Sequence, residues 1–151
     1  MPFKHSLGVQ VDRPAAAIAI AVSPGTPYFT IAGGICLIRA IVGYVTVAFG
    51  GANTLSLVLD PTVAAAANTN LCGATDVGTT GTEGDVVAVA GAPATGLVAG
   101  HLAAQVLSVT GGVGIAVTSG VIGLVATAAN GTMRWVLWYI PIDAGATIVI
   151  A

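Results

Sequence analysis

Charge is what this sequence has least of. Four Lys and Arg and six Asp and Glu serve 151 residues, 7% of the chain, against 56% hydrophobic; an average soluble domain carries roughly 25% charged residues. The four cations, Lys4, Arg13, Arg39 and Arg134, are scattered. Nucleic-acid binding rests on several clustered phosphate contacts, so that class of partner is excluded as an expectation. Cysteine is almost as scarce. Cys36 and Cys72 form no CxxC pair and cannot build a zinc site alone. They read as two small buried apolar side chains, with a disulfide left open.

Helix-like apolar runs are missing too. Ile31 to Gly51 is interrupted by Arg39. Leu102 to Met133 has no formal charge but holds Gly111, Gly112, Gly114, Gly120 and Gly123 among Ser and Thr. Gly is poor in helices, while Val and Thr favour pleated surfaces. No Lys or Arg cluster flanks either run to fix an orientation in a bilayer. The stretch Ala15 to Val22 is not read as a secretory signal, because Asp12 and Pro14 sit where a basic region should lead into it. No membrane role is expected.

What the chain has is alternation. A strand is predicted over Ile35 to Phe49, apolar on both faces, and another over Thr54 to Leu59 with Leu55, Leu57 and Leu59 on one face. Between them Gly50-Gly51-Ala52-Asn53 offers residues that tolerate positive φ, which predicts a long hairpin. Thr62 to Gly84 reads as a loop with one short helical turn and a short strand around Leu71 to Val77. A strand follows over Asp85 to Ala90, then a stretch (Thr95 to Val109) with the option of a short helix. Val113 to Thr118 and Val121 to Ala126 read as a hairpin about Ser119-Gly120. Asn130-Gly131 is the strongest turn signal. It precedes a strand over Thr132 to Ile140, stopped by Pro141, and a last one over Thr147 to Ile150. Nine to eleven short strands predict an all-β fold, a β-sandwich or jelly-roll-like barrel over 15–151. Residues 1–14 are expected to form an extended N-terminal arm that reaches a neighbour or adds a strand.

No enzyme emerges. His5 and His101 stand in no catalytic frame and read as surface or interface residues. Asp76, Glu83 and Asp85 lack the ordered spacing of a calcium loop. Gly111-Gly112-Val113-Gly114 lacks the Lys and Ser or Thr of a phosphate loop. No catalytic, cofactor-binding or metal-binding residue is predicted. Trp135, Trp138 and Tyr139 lie on one strand with its two faces opposed, so one set should fill the core and the other meet a partner; a sugar platform is the thinner option.

Three segments carry a resemblance. "FKHSLGVQVDRPAAA" (Phe3 to Ala17), "FTIAGG" (Phe29 to Gly34) and "GTMRWVLWYIPIDAGATIVIA" (Gly131 to Ala151) resemble small virion proteins of tailed bacteriophages. The last ends in a Tyr-x-Pro-x-Asp-x-Gly-Ala pattern at Tyr139, Pro141, Asp143, Gly145 and Ala146. The resemblance implies a head decoration (cement) protein on the capsid surface, β-rich and commonly a homotrimer, seated on the major capsid protein. No cofactor comes with it. The arm residues Phe3, Lys4, His5, Asp12 and Arg13 are then the candidates for contact with the lattice. A tail-tube, head-tail or fibre subunit of a virion, or a small holin-like membrane protein, are the alternative expectations.

Overall fold

The computed structural model describes residues 8–62, 66–78, 81–89 and 114–151, and the strand backbone of 98–100. It is all-β. The strands are β1 (Val9–Ala17), β2 (Ala21–Ala32), β3 (Cys36–Val47), β4 (Thr54–Pro61), β5 (Thr69–Asn70) and β6 (Thr75–Asp76). They continue with β7 (Val86–Ala88), β8 (Val98–Gly100), β9 (Ile115–Val117), β10 (Gly120–Ala126), β11 (Thr132–Pro141) and β12 (Thr147–Ile150). Among the described residues no helix is long and apolar enough to cross a membrane.

Two antiparallel sheets pack face to face as a β-sandwich. One has the order β1-β11-β3-β7-β8, with β9 also on β3; the other has the order β12-β2-β10-β4-β5, with β6 also on β4. Period-2 alternation decides the facing. On β11, Met133, Trp135, Leu137 and Tyr139 are buried, while Arg134, Val136, Trp138 and Ile140 alternate with them. Leu55, Leu57 and Leu59 of β4 and Ile122 and Leu124 of β10 answer from the other sheet. Full burial of each such side chain stabilises the fold by about 1.5–3 kcal/mol before entropy is counted.

The long strands change sheet at every step but one, from β4 to β10. β1, β3 and β11 belong to the first sheet, and β2, β4, β10 and β12 to the second. Two expected hairpins are therefore not hairpins. β3 pairs with β11 and β4 with β10; likewise β9 pairs with β3 while β10 pairs with β2 and β4. β3 is largely apolar on both faces and β4 turns Leu55, Leu57 and Leu59 into the core, and each takes its main ladder from a strand distant in sequence. Gly50 and Gly51 are also not among the positive-φ glycines, whereas Gly131 (φ 75) is.

Where a helical turn was expected in Thr62 to Gly84, residues 66–78 hold the two-residue strands β5 and β6 against β4. Val98–Gly100, inside the stretch with a helical option, is strand paired to β7. The rest of that stretch, His101 and Gly111 to Val113 lie outside the described residues, as do Phe3, Lys4 and His5. At the N-terminal end β1 runs across the expected boundary at 14/15. It pairs with β11 from Val9↔Tyr139 to Ala17↔Thr132, with a register shift between Arg13 and Ala16. So Val9 to Arg13 adds a strand to its own sheet.

Candidate functional site

The outer face of the β1-β11-β3 sheet is the most distinctive surface. Register places Trp138 between Gln10 and Ala40, Val136 between Asp12 and Val42, and Arg134 beside Tyr44. Ile140 pairs with Leu37 at the end of the row. The face is thus a band of Val42, Tyr44, Val136, Trp138 and Ile140, with Tyr44 42% and Ile140 38% exposed and Trp138 half-buried. Trp138 stands outward while Trp135 and Tyr139 are core, so the three aromatics divide between the two faces as alternation predicts.

Asp12 and Arg134 close one rim of this band. The Arg134 Nε donates to Asp12 Oδ1 at 2.8 Å and its Nη2 to Oδ2, a two-pronged ion pair across the β1–β11 ladder. That hydrogen bonding holds the Asp12 carboxyl below the usual carboxylate range, and Asp12 in turn raises the Arg134 guanidinium. Asp12 is therefore engaged within the chain, on the sheet's own rim.

Arg13 faces the other way. It sits on the parity of Val9 and Val11, and its guanidinium carbon lies 3.7 Å from the centroid of the Tyr28 ring on β2. Tyr28 meets Trp135, the register partner of Arg13, edge to face with centroids 6.3 Å apart. Burial pushes the Tyr28 phenol up, against the pull of the Arg13 charge. Nε and Nη1 of Arg13 and Nε1 of Trp135 are enclosed and have no hydrogen-bond acceptor. The sequence pattern did hold a signal for this: an Arg on the same parity as Val9 and Val11.

The acidic loop is a set of turn caps. Asp76 Oδ1 accepts from the N–H groups of Asn53 (3.0 Å) and Gly78 (2.9 Å), and Asp85 Oδ2 accepts from Thr82 (2.9 Å). Glu83 is exposed. Among the described residues no three His, Cys, Asp or Glu side chains gather as a metal site. Cys36 and Cys72 are both buried and free. Burial pushes both thiols up; Asp143 adds to this at Cys36, and the Leu57 N–H, 3.3 Å from the Cys72 sulfur, works against it.

Two of the segments that carry the phage resemblance, Phe29 to Gly34 and Gly131 to Ala151, meet at one end of the sandwich. Asp143 Oδ2 accepts from the Ile35 N–H at 2.8 Å, and the Ile142 N–H donates to the Ile35 carbonyl at 2.9 Å. A Cβ on Gly33 would stand 2.4 Å from the Gly145 carbonyl oxygen. Both glycines have positive φ (78 and 86), where a side chain is strained. The Asp-x-Gly-Ala ending therefore locks the β2–β3 turn, and its role here is structural. Comparison with family models, with characterised proteins and with solved structures returns no match for this chain.

Proposed function

We propose that this protein is a structural virion subunit, a capsid decoration protein that works as an oligomer on a major capsid lattice and performs no catalysis. The observation that carries the reading is the apolar outer band of Val42, Tyr44, Val136, Trp138 and Ile140 on a chain with so few charges. Trp and Tyr on a flat apolar face are the residue types enriched in interface cores. An oligomer of closed symmetry turns such faces into shared interior.

The sheet-switching order gives weaker support. Taking one short strand for each of the two shorter positions, β1-β11-β3-β7 faces β2-β10-β4-β5, which is the winding of a jelly roll. Capsid and lectin domains use that architecture, yet a fold alone assigns no function. The phage resemblance at both ends of the chain agrees with this reading. Quantifying the protein in purified particles tests it. Many copies per particle, on the head, are expected; a handful, or a location on the tail, would overturn the decoration role.

A further inference from the structure

Arg13 breaks the pattern of its strand, and places where a local rule is broken without local compensation are where function is to be sought. In a chain with only four Lys and Arg, this one is turned inward from an edge strand. Arg134 has Asp12 as its counter-charge. Among the described residues no carboxylate does the same for Arg13, whose one recorded partner is the face of Tyr28 at 3.7 Å. Two of its nitrogens are enclosed without an acceptor, and the enclosed indole N–H of Trp135, on the same aromatic cluster, is likewise without one.

Buried donors almost always find a partner, and a buried charge without a counter-charge is costly. The ring face offsets part of that cost but accepts none of the in-plane N–H bonds. Nη2 is the guanidinium nitrogen that is not enclosed. Arg13 as a whole is only partly buried, on the strand that ends its sheet.

We propose that Arg13 is a carboxylate-binding residue at this sheet edge, with the carboxylate supplied from outside the chain. The guanidinium stacks over Tyr28, so only its rim is available. A carboxylate oxygen can meet Nη2 where it stands, in the charge-assisted pairing that guanidinium and carboxylate groups favour. The carboxylate comes from a free small acid or from an Asp or Glu of a neighbouring chain. The proposal does not rest on the outer band of the sheet or on the decoration role.

The test compares wild type with Arg13→Met and Arg13→Lys at neutral pH. Thermal midpoints are measured in sodium acetate and in sodium chloride at matched ionic strength, and mass is measured by sedimentation. For a free acid, acetate raises the wild-type midpoint saturably by a few degrees, Arg13→Lys responds less, and Arg13→Met responds to both salts alike. For a neighbouring chain, acetate has no specific effect and Arg13→Met lowers the assembled mass while its circular dichroism stays that of a folded β protein. If Arg13→Met does not fold, Arg13→Lys alone carries the comparison. Variants that match wild type in both measurements overturn the proposal.

Discussion

Asn53 shows how much one side chain can hold in place. It is 0% exposed, and its polar atoms are all used. Its Nδ2 donates to the Ala128 carbonyl and to Asn130 Oδ1, both at 2.8 Å, and its Oδ1 accepts from the Ala128 N–H at 3.1 Å. Its backbone N–H donates to Asp76, and its carbonyl accepts from Val77. The amide thereby ties the β3–β4 connection to the β10–β11 connection, two of the places where the chain crosses between sheets at this end. Asn53→Ala leaves a buried N–H and buried carbonyls unpaired, for which about 2–3 kcal/mol is expected; urea midpoints with an unchanged slope check it. Composition marks Asn53 as a turn residue. Its partners, more than seventy residues away, are visible only in the folded chain.

At the scale of elements, close approach decides more than propensity. Gly123 on β10 faces Pro24 of β2, and a Cβ there would stand 2.1 Å from the Pro24 carbonyl oxygen. Gly123→Ala must push two paired strands apart, and the expected loss is about 2–3 kcal/mol. Gly50→Ala is its internal control: nothing lies within 4 Å and φ is not positive, so it should be neutral or stabilise by up to about 1 kcal/mol. Thermal melts of the two variants side by side check both. The edges speak against free strand addition along their whole length. β1 carries Pro14 next to a register shift, and the part of β2 beyond its ladder with β12 carries Pro24 and Pro27, devices that blunt an exposed ladder. Strand positions such as Thr54 to Leu59 and Thr147 to Ile150 were legible because alternation reports which residues face the core. It does not report which strand lies alongside, and the turn residues at Gly50 to Asn53 and at Ser119-Gly120 suit a crossing between sheets as well as a hairpin. Trp138 was legible in the same way as Trp135, by parity. The inward turn of Arg13 onto Tyr28 needed the opposite sheet to be in place.

For the molecule as a whole, the scarcity of charge is sharper than the count suggests. Asp12 and Arg134 pair with each other, Arg13 turns inward, and Asp76, Asp85 and Asp143 cap backbone N–H groups. Most of the few charged groups are thus engaged within the fold, and much of the described surface is left to Ala, Gly, Thr and apolar side chains. Val22 is 82% exposed and Ile20 65%, outside the band around Trp138. A surface of this kind is covered at low cost by copies of itself. The solution mass of the purified full chain, measured by sedimentation for wild type and for Trp138→Asp, tests that claim most directly. Wild type should sediment as a multiple of 14.7 kDa, threefold for the trimer, and Trp138→Asp should fall to the single-chain mass with its β circular dichroism intact. A wild-type protein that stays at the single-chain mass as concentration rises would contradict the account.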